Sequence, residues 1–482
     1  MSPILGFGPD VDPTTIGVLT DCANLIPFDA GFKGAPSPVA VGVATLASAC
    51  RGAVVATQLA GTRRIFAGTQ TALYELAGAV WTDRSKSGGY TGSVESRWCF
   101  CQFGDTTIAT NLVDAMQQSN AGVFVDVPTA PRALIVVSAS NNFVIAFNTD
   151  DGTFGASPDR WWCCAQSDQT NWTPAEGGPT TGRLVSVEGA IKAALPLGDY
   201  VIAYKEHAVY VGTFVAAPEM WAWAPAIGGE AGAVGQEAVC DIGGVHFMVG
   251  DGDFWLFDGT RPQSIGEPVR EWFRTNADPI YRFLTKATYD KQNSLVRVSF
   301  PSRNSGGVVD RCLVYHTKRK QWGLADQVVQ APLTYIAPGL TIDGLNTIAA
   351  TIDALPNVPL DSQYWMGGGQ SPAFFNSANQ LVSLSGETGA SSFTTGDLGD
   401  DDAVTMIDRF RVRFTKAPAT ATATGLVKMN EGDALAVGAV SDINDGKFDL
   451  RQSGRFHRVR VDLTGDHRET AFDSKNTVVG WR

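Results

Sequence analysis

Three carboxylates, Asp251, Asp253 and Asp258, fall within the stretch VGDGDFWLFDG (249–259), set among glycines around a Phe-Trp-Leu-Phe run. Hard oxygen ligands at such close spacing are what a calcium loop uses, and Trp255 beside them could stack on a sugar ring. A helix-loop-helix calcium loop needs carboxylates at positions one, three and five and a Glu at twelve. Counting from Asp251, the fifth position is Trp255 and the twelfth is Pro262, so that pattern fails. Asp and Gly tolerate positive φ, which makes a turn between two strands the preferred reading.

A second acidic group, Asp397, Asp400, Asp401 and Asp402, could gather a divalent cation, but no histidine joins it. A solvated loop is the preferred reading. The stretches RWWCCAQSDQTNW (160–172) and EMWAWAP (219–225) could form sugar-stacking platforms, although tryptophans more commonly fill the space between packed sheets. Glycoside hydrolysis needs two carboxyl groups at a set separation. The boxes S-x-D-x-G-x-T-W that accompany it in sialidases are matched by neither DRSKSGGYTG (83–92) nor AQSDQTNW (165–172). No G-x-S-x-G, P-loop or H-E-x-x-H motif occurs. Eight cysteines form no C-x-x-C pair: Cys99 and Cys101 alternate along a strand, and Cys163 and Cys164 are adjacent. Buried free thiols are expected in place of a zinc site or a disulfide framework. No catalytic, cofactor-binding or metal-ligating residue is therefore assigned, and the chain is not expected to be an enzyme.

What positions these residues is a β-rich scaffold. The chain has 482 residues, 52 of them glycine, with 25 Phe and 12 Trp, and carries a formal net charge of −12. Abundant glycine and aromatics predict many short strands and tight turns. The negative charge argues against gripping nucleic acid by neutralising phosphates. The start lacks the basic and apolar regions of a signal peptide, and no apolar run is long enough for an ordinary membrane span. Strand-like runs such as RRIFAGTQTALYEL, ALIVVSASNNFVIAFN and SLVRVSFP recur from about residue 41, each bounded by turn residues. EPVREWFRTNAD (267–278) is a candidate short helix.

Self-similarity is the informative feature. LYELAG (73–78), FWLFDG (254–259) and LVSLSG (381–386) share apolar first and fourth positions and a sixth-position Gly, and follow Phe66, Phe247 and Phe375 across turn-prone residues. VIAYKEHAVYVGT (201–213) is a looser fourth copy. A lone hairpin cannot bury its apolar face, so such units must stack or arrange radially. The expected fold is all-β: a β-propeller of about six to eight blades over 41–390, preceded by an extended N-terminal arm or irregular segment (1–40). A chain of β-sandwiches is the alternative. In 391–482, DRFRVRFTKAPATATATGLVKM and GRFHRVRVDL alternate Arg or His with apolar residues, predicting a C-terminal β-sandwich-like module, or else strands that pack on the propeller. Within FWLFDG, Phe254 and Phe257 are an odd number of residues apart. Either a bulge intervenes or that strand is buried on both faces.

The order of DCANLIPFDAGFKGAPSPVA, RWCFCQFGDTTIATN with VPTAPRAL, RWWCCAQSDQTNWTPAEGG, IKAALPLGDYVIAYKEHAVYVGTF, HFMVGDGDFWLFDGTRPQSIGEPVREWF and SGRFHRVRVDL resembles the tail nozzle or hub proteins of short-tailed bacteriophages, also described as packaged-DNA stabilisation proteins. The resemblance runs along most of the chain and carries over no catalytic residue. It implies a virion protein of the tail, assembled in the host cytoplasm as a homohexameric ring below the portal and adaptor rings. Such a ring extends and closes the DNA channel, lets DNA pass without sequence-specific binding and anchors fibres or spikes. An acidic lumen would limit sticking of DNA during ejection. A carbohydrate-binding tail or adhesin module is the competing expectation, and a sialidase-like hydrolase a third.

Overall fold

The computed structural model describes residues 2–175, 178–228, 230–336, 351, 370–399 and 402–481. Two of the four aspartates in the acidic run, Asp400 and Asp401, lie outside the described residues. Among the described residues, regular helix is confined to Arg270–Asn276 and two single 3-10 turns, and no helix is long and apolar enough to cross a membrane. The helix falls inside the stretch read as helical. Asp10, from the N-terminal segment, caps it by accepting the backbone N–H of Glu271 (2.6 Å) and Trp272 (3.0 Å).

Six separate four-stranded antiparallel sheets span 53–83, 99–126, 132–183, 191–225, 239–264, and 331–383 joined by Val39–Ala40. A further four-strand meander, 286–326, sits between the last two of these and merges into a ten-stranded sheet. The first strands of all these units neighbour one another around a closed circle. The molecule is thus a β-propeller of six free blades, with the 286–326 meander completing the circle. The hexapeptide repeats mark equivalent places in it. LYELAG, FWLFDG and LVSLSG supply the third strands Leu73–Ala77, Phe254–Phe257 and Leu381–Ser383, and Phe66, Phe247 and Phe375 lie on the strands before them. The looser copy supplies Tyr200–Lys205 and Val209–Ala216, again second and third strands.

The strand Phe254–Phe257 pairs with His246–Val249 in unbroken register, so no bulge intervenes. Phe254 and Phe257 are both fully buried. Phe254 packs on Trp322 of the merging meander (ring centroids 4.8 Å apart) and on Phe273 of the helix (5.0 Å). Phe257 belongs to a different cluster with Leu197 and Tyr204 of the 191–225 blade. Burial on both faces is what a blade wedged between two others requires.

The first forty residues are tied down strand by strand. Ser2–Pro3 pairs with Arg468–Trp481, Val18–Ala23 with Ser391–Thr395, and Gly31–Gly34 with both Leu25–Phe28 and the residues Arg468 and Glu469. Val39–Ala40 forms the outermost strand of the 331–383 blade, closing the ring with a strand from its own beginning. From Ser391 onward the chain fills two sheets. One is seven-stranded, and the other is the far end of the ten-stranded sheet that includes the 286–326 meander. The predicted alternation holds for the arginines, whereas His457, expected on the cationic face, is fully buried. Phe410, Val412, Val459, Val461 and Leu463 are buried, while Arg409 and Arg460 are exposed and Arg411, Arg413 and Arg458 half-buried. Phe393, Phe410, Val461 and Phe472 share one core cluster with Phe247, Trp322 and Leu324, so a single apolar core runs from the C-terminal sheets into the propeller.

Truncating a fully buried Phe costs about 3–5 kcal/mol. Phe254→Ala and Phe257→Ala should each destabilise by that amount in chemical denaturation. A strand with one solvated face would show the loss at only one of the two.

Candidate functional site at the axial mouth

The aspartates of 249–259 serve turns and ion pairs. Asp251 Oδ1 holds the Arg282 guanidinium at 2.6 Å, and Asp253 accepts from its neighbour Phe254 N (2.7 Å) and from Ser264 Oγ (2.6 Å). Asp258 Oδ1 accepts both the N–H (2.9 Å) and the hydroxyl (2.6 Å) of Thr260, an Asx turn that keeps its carboxyl below the usual range. Asp397 lies between Arg458 (2.5 Å) and Lys428 (3.5 Å), so it anchors two cations in the C-terminal sheets. Among the described residues no group of three or more His, Cys, Asp or Glu is placed to hold a metal ion. Trp161, Trp162, Trp172 and Trp221 are buried within or between blades, which leaves little ring face for a sugar. All eight cysteines are free, five of them buried, and burial raises the pKa of each.

One arrangement that sequence reasoning missed has the connectivity of a nucleophile, base and orienting acid. Ser391 Oγ lies 2.6 Å from His467 Nε2, and His467 Nδ1 lies 2.7 Å from Glu469 Oε2. His467 and Glu469 are fully buried and Ser391 nearly so, leaving no room for a substrate. Burial raises the Glu469 pKa, only partly offset by the imidazole. The relay is a clamp: a Cβ added at Gly34 would stand 3.0 Å from His467 Nε2, so the N-terminal strand approaches it as only glycine can. Two other buried histidines fasten the chain similarly. His246 Nδ1 meets Tyr204 Oη at 2.6 Å across two blades, and His457 Nε2 lies 3.1 Å from the carbonyl of Gly454.

A polar group lies around the propeller axis. Every blade begins its innermost strand from one face, and the residues just before or at those starts include Arg51, Arg97, Lys192, Glu237, Lys286 and Gln330. Gln330 Oε1 accepts the Cys50 N–H (2.9 Å), joining the last blade to the first. Lys286, 2% exposed, forms an ion pair with Glu237. Burial lowers the Lys286 pKa and Glu237 opposes that fall. Burial also pushes the Cys50 thiol up to about 12, and Cys50 feels the charges of Lys286, Glu237 and Arg97, which fixes these four as neighbours. Lys192 pairs with Glu206 at 3.0 Å. Beside them is a cavity of about 300 Å³ reached by Arg97, Lys192, Gln236 and Phe283, and a second of about 390 Å³ shares Lys192 and Phe283. Such a mouth can recognise charge. The signal that could have found it is positional: a charged residue next to the first strand of several blades, visible once blade limits are assigned.

No protein-family model matches the chain, and no curated protein matches it. Solved structures do. YCF48 bound to D1 peptide is 10% identical, with a TM-score of 0.38 over 73% of this chain and 97% of that one. The N-terminal domain of Nup159 is 8% identical, with a TM-score of 0.39 over 74% and 97%. An exo-β-1,3-galactanase from Phanerochaete chrysosporium is 8% identical, with a TM-score of 0.29 over 91% and 100%. At these values neither a family nor an activity follows.

Burial holds the His246 and His457 imidazoles below their ordinary 6.5. The folded chain therefore binds fewer protons than the unfolded chain as pH drops through that value. The associated stability is fully present above about pH 6.5 and is lost on acidification toward the folded values. The denaturation midpoint should fall between about pH 7.5 and pH 5, and less steeply in His246→Gln. A midpoint that is flat or rises on acidification would contradict this assignment.

Proposed function

We propose that this chain is a non-enzymatic structural subunit, the nozzle or hub of a short-tailed bacteriophage tail, which assembles with copies of itself into a ring. The observation that carries the reading is an unpartnered strand. Among the described residues, Ala436–Asp442 ends the seven-stranded sheet and has a neighbour, Thr420–Lys428, on one side only. Its Val437 and Val440 are 73% and 62% exposed. An exposed apolar edge invites pairing with another chain, and free-standing proteins usually blunt such edges with charge or proline. A ring of copies, each meeting the next through unlike surfaces, supplies a partner to every such edge. The sequence resemblance gives the ring its place: below portal and adaptor, in contact with fibres or spikes, with DNA passing through an acidic lumen. The fusion of propeller and C-terminal sheets through one core and one ten-stranded sheet suits a part that must keep its shape while DNA passes.

A second reading, carbohydrate recognition, has one feature in its favour. Trp162 and Trp172 line a cleft of about 640 Å³ together with Arg132, Asp150 and Asp151. Both indoles are almost wholly buried, which is why this reading stands second.

Native mass measurement of the purified chain, alone and with an adaptor ring, should give a ring of about six copies in at least one condition. The double variant Val437→Asp, Val440→Asp should keep the β-rich circular dichroism spectrum and weaken assembly at least tenfold. A chain that stays monomeric in both conditions and is retained on a glycan array would replace the ring with the second reading.

A further inference from the structure

Charge at the axial mouth is unbalanced. Lys286 takes Glu237 and Lys192 takes Glu206, which leaves Arg51 and Arg97. Among the described residues neither guanidinium forms an ion pair. Arg51 Nη1 donates to the carbonyls of Ser93 (2.6 Å) and Val94, while Arg97 Nη1 donates to those of Ser96 (2.9 Å), Glu95 (3.3 Å) and Val94 (3.4 Å). Two cations thus converge on one loop, held by neutral carbonyls. Burial holds both below the ordinary arginine value; the Glu237 and Glu95 charges oppose that fall at Arg97, while the Arg97 charge presses Arg51 further down. The cavity beside them has a second unmet demand, since buried Gln236 Nε2 has only the weakly accepting Cys99 sulfur beside it. A site with surplus positive charge and a poorly matched N–H donor asks for an anionic acceptor. Glu95 also borders the cavity, so one negative charge suffices and a dianion would be repelled. Leu112, Leu134, Val234 and Phe283 complete the wall, which suits an apolar stem behind the charge.

We propose that the axial cavity binds a carboxylate carried on a short apolar stem, with Arg97 and Gln236 as its donors. A planar guanidinium matches a carboxylate with two parallel hydrogen bonds. The ligand is either a free organic acid or the Asp or Glu side chain of a protein segment seated on the rim, where Val94 and Ile280 are 73% and 74% exposed. The inference does not depend on the ring reading, because the mouth lies within one propeller.

Calorimetric titration of the full chain tests it, with three probes: hexanoate, the blocked tripeptide acetyl-Leu-Glu-Leu-amide, and hexanamide as the uncharged control. At least one acid should saturate one site per chain while hexanamide does not. Tighter binding of the tripeptide identifies a protein segment as the source, and equal or tighter binding of hexanoate identifies a free acid. Arg97→Gln should weaken binding at least tenfold and Arg97→Lys by less. Gln236→Leu, which removes an amide that has only the Cys99 sulfur beside it, should weaken it with little change in melting temperature and stands in if Arg97→Gln fails to fold. The proposal is overturned if neither acid saturates, if hexanamide binds as well as the acids, or if the folded variants bind like the wild type.

Discussion

A circle of sheets must be closed somewhere, and here the closure is a pairing of two residues with two: Val39 and Ala40 against Ser383 and Val382. The other blades stay wedged only while that seam holds, because each buries apolar side chains on both faces against its neighbours. The seam is not left to two residues alone. On its N-terminal side the chain runs through Gly31–Gly34 and Val18–Ala23, both paired with strands from the C-terminal sheets. Cys50 then bonds Gln330 across the join between last and first blades. Closure is thus a property of the whole fold.

The polar interior follows the same logic. Four of the five histidines are fully buried, and three of them meet a hydrogen-bonding group from another strand: Tyr204 for His246, Thr405 for His457, and Ser391 for His467. In a protein made almost entirely of sheets, apolar contact alone lets one sheet slide over another. A directional hydrogen bond between fixed atoms stops the slide. The hydroxyl, imidazole and carboxylate at Ser391, His467 and Glu469 show how closely such fastening can imitate catalytic geometry. Access separates the two, and this relay has none. The axial mouth differs in the opposite sense, being open and unevenly charged.

Much of the propeller was legible because its second and third strands repeat a pattern of aromatic, turn, apolar pair and glycine. That signal marks the 53–83, 239–264 and 331–383 blades, and more loosely the 191–225 blade. It is missing from Leu295–Pro301, which reads as a strand but carries no aromatic, turn and glycine repeat, and whose seven residues are all buried. It is also missing from Cys99–Phe103, whose five residues are all half-buried. The first forty residues were illegible for another reason: most of their strands are two to four residues long, too short to show a period, and several of their partners lie hundreds of residues away. The mouth was invisible for the same cause. Arg97, Glu237 and Lys286 belong to three connections far apart in the chain, and only closure of the circle makes them neighbours.

The pairings of Ser2 with Phe472 and of Leu19 with Thr395 bear on the order in which the chain acquires its structure. Synthesis runs toward the C-terminus, so these strands have no mates until residues hundreds of positions later have followed. Contacts of such long sequence separation make folding slow. The hairpins of the middle blades, whose strands are close in sequence, are free to form while the opening segment waits as an unsatisfied strand. During that interval it is exposed to pairing with the wrong chain. The stretch that seals the finished molecule is thus its most vulnerable part in the making.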